Sequence, residues 1–547
     1  MSKSDELVFL PLGGSGEIGM NFNAYGFGPP NRRQWIVVDC GVTFGRETDS
    51  PGVDLILPDI RYLAERREDV LGIVATHAHE DHIGAIALLW PTLKCPIYAT
   101  PFTARLIEGK LIEAGLSVPV REVSLGGSLK LGPFAIDFIS ITHSIPEPNL
   151  LAIRTPLGLI AHTGDWKLDP EPLLGAVTDA AAIQKLGDEG VLALVCDSTN
   201  ALVPGHSGSE AQVRDSLVQL IGGLKRRIAV TAFASNVARL DSIAHAAKIH
   251  GRKLALVGRS MHKIVQAARA TGYLKDFPAV LDAAEASELP AGKVLYLVTG
   301  SQGEPRAALS RIAQGNHPDV QLGNGDAVIF SSRVIPGNDL AIFELHNKLS
   351  ALGVEVLTAE DHFVHVSGHP AREELAEMYR WTRPRIAVPV HGELRHMAEH
   401  ARLAKSLQVP EALVPANGQL YRLAPGPAEL IDEVPSGRIH MDGRVLVAEG
   451  EGLAKARRAM AYAGLIAITL VLDSKGRAAA DAAILAEGMP EPVREAVRTV
   501  VDEALRRYNP KSTNSEALRE AVRRAARRAA QDAWGKKPVT RVTVVEL

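Results

Sequence analysis

Short apolar runs that end in polar clusters recur along the first 200 residues. Positions 7–12, 35–39, 71–76, 134–139, 159–162 and 191–196 each read as a strand. A continuous apolar run bounded by turn residues suits a sheet covered on both faces. Helical periodicity follows some of them, at 83–89 and 101–113. That is a layered αβ pattern with chemistry placed where strands end. From about 210 to 370 the alternation becomes regular: 228–231 then 236–249, 254–257 then 261–271, 294–298 then 305–313, and 327–331 then 339–352. It predicts a doubly wound parallel α/β unit. The strand at 386–390, ending at His391, resumes the earlier style, so the α/β unit reads as an insertion that splits one domain. Past residue 425, turn signals at Pro425, Gly426, Pro427, Pro435 and Gly437 mark another change. There 465–473 and 478–486 predict a hairpin, two helices follow, and 539–546 is a last alternating strand. Thr513 and Glu516 have capping-box spacing at the start of the second helix, whose predicted apolar face is Leu518, Val522, Ala525, Ala529 and Ala533.

Composition narrows the classes. Across 547 residues, 46% are hydrophobic and 22% charged, which excludes disorder, collagen and coiled coil as the main state. Lys plus Arg number 60 against 63 Asp plus Glu, so no basic coat surrounds the molecule and phosphate binding requires a local groove. Aromatics at 5% argue against a broad base-stacking platform. Cys40, Cys95 and Cys196 are too few and too scattered for a disulfide framework and point to a reducing compartment. The N-terminal stretch has no signal-peptide apolar region, and runs such as 465–472 are too short to span a bilayer. The expectation is a soluble, cytoplasmic protein with no membrane partner.

The strongest chemical signal follows the strand predicted at 71–76: His77, Ala78, His79, Glu80, Asp81 and His82, on a loop that opens a helix. So many imidazoles and carboxylates cannot all be inert buried groups, because each would need a partner to offset its desolvation. A lone His-x-His is usually surface or core. The whole pattern suits metal, with His77 and His79 facing one cation and Asp81 and His82 another. Asp39, His143 and Asp165 each end or follow a predicted strand. Singly, each suits a turn or cap as well. As an ordered set behind the histidine loop they favour a metal site.

In that order Asp39, the 77–82 motif, His143 and Asp165 resemble the four motifs of the metallo-β-lactamase fold. The resemblance implies an α/β class protein: an αββα sandwich with a dinuclear metal site along one edge. Asp197, His369 and His391 resemble the three further motifs of the β-CASP nuclease subgroup, whose inserted α/β domain covers the metals. There a histidine at the last motif goes with RNA-processing members, and valine with Artemis-like DNA-directed ones. The glycine loop at 13–19 and the stretches 233–236, 299–305 and 365–369 are similar to the bacterial ribonuclease J family, over roughly residues 7–430. One departure, Met20, Asn21, Phe22 and Asn23 in place of a Lys-Asn-Met-type run, lies outside the ligand set. The implied organisation is a metallo-β-lactamase core at 1–208 and 370–430, a β-CASP domain at 209–369, a linker at 431–455 and a C-terminal α+β domain at 456–547.

Carried over residue by residue, the resemblance implies one metal held by His77, His79 and His143 and another by Asp81, His82 and His391, with Asp165 bridging. Imidazoles and carboxylates without thiolate suit two zinc ions, with manganese or magnesium as alternatives. Of the catalytic set, Asp81 doubles as a ligand and His369 would stabilise the scissile phosphate or the leaving oxygen. Asp39 and Asp197 would orient histidines. Phe233, Ala234, Ser235 and Asn236, with His365, Val366, Ser367, Gly368 and His369, would bind substrate from two helix-start loops, where backbone N–H groups favour anions. Those loops lack Lys and Arg, which argues for 5′-monophosphate rather than triphosphate ends. The implied activity is a metal-dependent ribonuclease acting on single-stranded RNA. It would be a 5′→3′ exonuclease with endonuclease capacity, leaving 5′-phosphates, in mRNA decay and rRNA maturation. It would form a homodimer or homotetramer through the C-terminal domain. Two alternatives stay open: a small-ester or thioester metallo-hydrolase, and a catalytically inactive RNA-binding scaffold.

Overall fold

A strand whose residues are apolar on both faces must pair on both edges and be covered above and below. The computed structural model, which describes residues 5–46, 49–335, 337–510 and 514–547, meets both demands with stacked sheets. The chain divides into two units, one running to Thr43 and then over Leu57–Gly437, the other made of Phe44–Ile56 and Arg438–Leu547.

In the first unit an eight-stranded sheet includes Glu6–Gly13, Phe22–Gly28, Gln34–Val38 and Val70–Val74. A seven-stranded sheet includes Phe134–Ser140, Asn149–Thr155, Gly158–His162, Val191–Asp197 and Ile386–Val390. Leu7, Phe9, Tyr25, Ile36 and Val38 meet Phe138, Ile153, Val195 and Val388 in the core between the sheets. Strand alternation sends Leu194 and Ala387 the other way, onto Leu375, Met378 and Leu403 of the helices Arg372–Thr382 and Leu394–Ser406. On the other side Pro101–Glu113 packs along the first sheet. This is the αββα sandwich.

Pairing explains the placing of the chemistry. Val38 pairs in parallel with Val74, so Asp39 at the strand end lies beside the turn into His77. Asp197 pairs with Val390, which brings His391 next to it although 194 residues separate them. The intervening chain builds a six-stranded parallel sheet, ordered Val280–Leu281, Lys253–Val257, Val294–Val298, Ile228–Thr231, Ala327–Phe330 and Glu355–Leu357. The predicted helix at 305–313 begins only at Ala308, because the Ala308 and Leu309 N–H groups are taken by the Thr299 hydroxyl and carbonyl. The predicted helix at 83–89 is two, Glu80–Ile83 and Ile86–Leu93, so the metal motif itself starts the first turn.

In the second unit Leu465–Leu472 pairs with Ala483–Glu487 and Val539–Glu546. One face of this sheet is sealed by Glu491–Arg507 and Ser515–Trp534. Three readings change here. The stretch expected as linker carries paired strands, Arg438–Asp442 with Val445–Ala448. Thr513 lies outside the described residues, and the cap of the last helix is Asn514, whose side chain accepts from Ala517 N–H. The buried stripe of that helix runs Leu518, Val522, Ala526, Ala530 rather than through Ala525, Ala529 and Ala533. A strict four-residue step moves the stripe slowly around the helix, and the neighbouring helix follows it. Among the described residues no helix is long and apolar enough to cross a membrane.

Candidate metal centre

Five of the seven residues expected as ligands lie at strand ends or on the loops that follow them, and the other two, Asp81 and His82, lie within the short helix Glu80–Ile83. All seven converge. His77, His79, His143 and Asp165 form one group, and Asp81, His82, Asp165 and His391 a second, each with its potential ligand atoms within 4.8 Å of one another. Asp165 belongs to both. Asp197 and His369 join it and His391 in a third such group.

The hydrogen-bond network decides which ring nitrogens face inward. His391 Nδ1–H donates to Asn21 Oδ1 (2.8 Å), so Nε2 carries the lone pair. That Nε2 is buried with no hydrogen-bond partner, as is Asp165 Oδ1. His143 Nδ1–H donates to the Gly368 carbonyl and His82 Nδ1–H to Asp39 Oδ2 (2.7 Å). Asp39 also accepts from the Thr76 backbone N–H (2.7 Å) and the Thr76 hydroxyl (2.8 Å). The hydroxyl thereby accepts from His77 Nδ1–H (3.0 Å). Asp39 thus orients His82 directly and His77 through Thr76, and every outward N–H fixes an inward Nε2.

Inside the ring of donors, His79 Nδ1 lies 3.1 Å from His77 Nε2 and 3.0 Å from His143 Nε2. Asp165 Oδ2 lies 3.8 Å from His77, 3.9 Å from His143, 3.1 Å from His82 and 3.7 Å from His391. Ligand atoms around a tetrahedral cation with ~2.0–2.1 Å bonds are about 3.3 Å apart. The observed separations bracket that value, and two buried orphan acceptors need a positive partner. The cluster suits a metal ion.

Electrostatics agree. Burial and the neighbouring imidazoles hold His77 and His143 well below the usual histidine range, so both are neutral donors at pH 7. Burial likewise brings His79 down to about 4. For His82 burial works the same way, but the carboxylates of Asp165, Asp39 and Asp81 outweigh it and hold a proton on the ring. A bound cation would take that proton's place and release it.

His369 differs from the seven. Its Nδ1–H donates to Asp197 Oδ2 (2.8 Å), and its ring stacks on His391 at 5.5 Å. Burial opposes its charge, yet Asp197 and Asp165 lift its pKa to about 9, so it is an imidazolium at neutral pH. Gly368 has a steric reason to be glycine, because a Cβ there would lie 2.8 Å from His143 Cε1. Ser367 Oγ accepts from Asn200 Nδ2 (2.8 Å) and from His369 N–H (3.1 Å).

The remaining loop residues stand further back. Asn236 caps the helix Val237–Ile249, with Oδ1 accepting from Arg239 N–H (2.9 Å) and Nδ2 reaching Glu210 (3.3 Å). Its amide is committed at both ends. Val366 packs at Gly208, and His365 is half-buried beside Arg239. Phe233, Ala234 and Ser235 are half-buried at the turn before that cap. The view that the loops lack cations holds only along the sequence: Arg239, Lys167 and Arg333 all bear on His365 through space. Asn21, Thr76, Asn200 and Arg333 were not legible as site residues. Asn21 even sits in the departure set aside as peripheral, and its contacts with His391, His82 (3.0 Å) and the Asp81 carbonyl (3.2 Å) reveal it.

Comparison with known proteins bears on the same residues. Profiles described as metallo-beta-lactamase superfamily match 23–165, and ribonuclease J beta-CASP domain 225–349. Those described as Zn-dependent metallo-hydrolase RNA specificity domain and ribonuclease J C-terminal domain match 353–414 and 453–547. A ribonuclease J of Sinorhizobium meliloti is 46% identical over all of this chain and 98% of its own length. One of Thermus thermophilus is 38% identical over 99% and 96%, and one of Mycolicibacterium smegmatis 41% over 88% and 86%. A crystal structure of a protein of unknown function from Enterococcus faecalis, 17% identical, covers 76% of this chain and 99% of its own with a TM-score of 0.52, which speaks to fold alone. With a full-length relative at 46% identity and four domain profiles in order, the chain belongs to the ribonuclease J family of metallo-hydrolase nucleases.

Proposed function

We propose that this chain is a dinuclear metal-dependent ribonuclease that shortens single-stranded RNA from its 5′ end, also cuts internally, and serves mRNA decay and rRNA maturation. The observation that carries the reading is the double membership of Asp165, whose carboxylate lies within reach of two separate donor sets. His77, His79 and His143 would hold one zinc ion and Asp81, His82 and His391 the other, with Asp165 between them; manganese or magnesium could replace zinc at such N/O sites. Bound there, the ions would lower the pKa of an attacking water and take up charge on the phosphate oxygens.

The chain's own groups supply the rest. Asp39, Thr76, Asn21 and the Gly368 carbonyl hold the histidine rings in their productive tautomers. His369, charged and pinned by Asp197, offers an N–H to the phosphate or to the departing 3′ oxygen, which suits hydrolysis that leaves a 5′-phosphate. Ser367 and Gly368, which touch His369 and His143, would receive the 5′-terminal phosphate. Self-association through the C-terminal unit is part of the proposal, supported by Leu485 and Val545, exposed on the sheet face opposite its helices.

Metal-loaded protein incubated with 5′- and 3′-labelled RNA, and with matching DNA, tests the reading. Mononucleotides released from the 5′ end of RNA, with DNA spared, are expected. Hydrolysis of small esters or thioesters with intact RNA would defeat it.

A further inference from the structure

Arg333 sits on the loop after the strand Ala327–Phe330 of the inserted sheet, and neighbours on two other loops hold it in place. Gln302 Nε2 donates to the Arg333 carbonyl (2.8 Å), and Gln302 Oε1 accepts from Ile335 N–H (2.9 Å) and Asn338 Nδ2 (3.2 Å). The guanidinium reaches away from this anchor and donates through Nη1 to Asn200 Oδ1 (3.0 Å). Asn200 is buried, and its Nδ2 donates in turn to Ser367 Oγ (2.8 Å) and to the His369 carbonyl (3.1 Å). Arg333 is therefore two hydrogen bonds from the loop that touches the metal cluster.

We propose that Arg333 binds a substrate phosphate at the Ser367 loop and is the cation by which the enzyme prefers a 5′-monophosphate end to a 5′-hydroxyl end. The proposal rests on the ribonuclease reading and adds to it the group that recognises the end. Three observations carry it. First, the other lysine and arginine side chains that bear on the loop are already spent: Arg239 is fully buried on Glu210 (2.9 Å) and Lys167 fully buried on Asp169 (2.8 Å). Arg333 is exposed, and among the described residues no carboxylate lies within ion-pair distance of it. Second, a guanidinium has five N–H donors and Asn200 takes one, which leaves a fork suited to phosphate oxygens. Third, Ser367 Oγ already accepts twice, so its own O–H is left to donate to a ligand oxygen beside that fork. A terminal monophosphate carries a second negative charge that a phosphodiester lacks, and it fits between the two donors.

The test uses the metal-loaded full chain and a short RNA made cleavage-resistant by 2′-O-methyl and phosphorothioate groups, with either a 5′-monophosphate or a 5′-hydroxyl. Fluorescence anisotropy across a salt series gives affinity and its salt slope for each. Arg333→Gln is expected to weaken monophosphate binding about tenfold, to leave hydroxyl binding within about twofold, and to lower the salt slope by ~0.7 for the monophosphate RNA alone. Arg333→Lys should keep the slope and lose part of the preference, because it has charge without the fork. Equal losses on both RNAs would overturn end recognition, as would an unchanged slope. Failure of the unmutated chain to bind either RNA would overturn the ribonuclease reading along with it. Arg333 is on the surface, so an unchanged melting temperature is expected of both variants.

Discussion

His391 has a backbone φ of 50°, in the left-handed region that a side chain with a Cβ rarely adopts. Its N–H is held by the Gly14 carbonyl (2.7 Å) and its Nδ1–H by Asn21, so surrounding structure fixes the strained turn and aims Nε2 into the cluster. Asn21→Ala should leave the fold intact while lowering metal affinity about 10–100-fold, the usual effect of losing a ring-orienting partner. A chelator-competition titration measures it, with His77→Ala and Asp165→Ala as references in which metal and activity go together. Affinity equal to the unmutated chain would remove Asn21 from the site. Gly368→Ala is expected to push the His143 ring off its lone-pair direction, with turnover falling well over tenfold while the far-ultraviolet spectrum is unchanged; near-normal turnover would show that the ring accommodates a Cβ. At this scale the seven residues of the cluster were legible because metal chemistry needs a few residue types, and those types stand out where apolar runs stop. Asn21 was not legible. Its partners Asp81, His82 and His391 lie 60, 61 and 370 residues away, and an asparagine after a glycine loop looks like any turn residue.

The helix Val237–Ile249 shows how an element's start can be read from the pattern while its packing cannot. The pattern predicts a helix from residue 236, and Asn236 is indeed its cap. What the pattern does not convey is that the first turn carries a fully buried Arg239, which donates to Glu210, Ser331 and Val364 and so ties the insertion's strands to its helices. Glu210 is buried, which by itself would raise its pKa; Arg239 and Lys167 outweigh that and hold it below the usual carboxylate range. Asp169, beside Lys167, is lowered in the same way. A carboxyl with a depressed folded-state pKa stabilises the fold above its unfolded value, and the contribution is lost as pH falls through the folded value. Melting temperature should therefore drop as pH falls from about 4. Glu210→Gln should flatten part of that fall and cost roughly 3–5 kcal/mol at pH 7, since it leaves a buried guanidinium without its counter-charge. A pH-melting series on both proteins checks this, and identical acid slopes would mean that the pair does not govern acid stability. Buried ion pairs of this kind escape a pattern reading because charged residues are taken to face water.

At the scale of the molecule, the segment Phe44–Ile56 folds with residues that follow it by almost 400 positions. Asp54 N–H donates to the Met441 carbonyl (3.3 Å), and Arg457 joins the Pro51 carbonyl (3.1 Å) to Asp442 (2.7 Å). Hydrophobic periodicity reports a residue's face and not its distant partner, so this early segment passed for part of the first region and the stretch at 431–455 passed for a linker. The arrangement makes truncation sensitive to where the cut is placed. Ending the chain after 452 keeps the paired strands Arg438–Asp442 and Val445–Ala448, and with them the Met441 carbonyl for Asp54. Ending it after 437 removes that partner and leaves the Asp54 N–H to water, in a segment that Val42 and Thr43 connect to Asp39, Cys40 and Gly41. The longer form is expected to retain metal content and RNA cleavage, and to lose self-association because Leu485 and Val545 go with the deleted sheet. The shorter form is expected to lose metal as well, as disorder in 44–56 reaches the backbone that positions Asp39. Metal analysis and light scattering on the two forms separate these effects. An unchanged oligomer in the longer form would take self-association away from the C-terminal sheet, and full metal content in the shorter form would show that Asp39 holds without the returning strands.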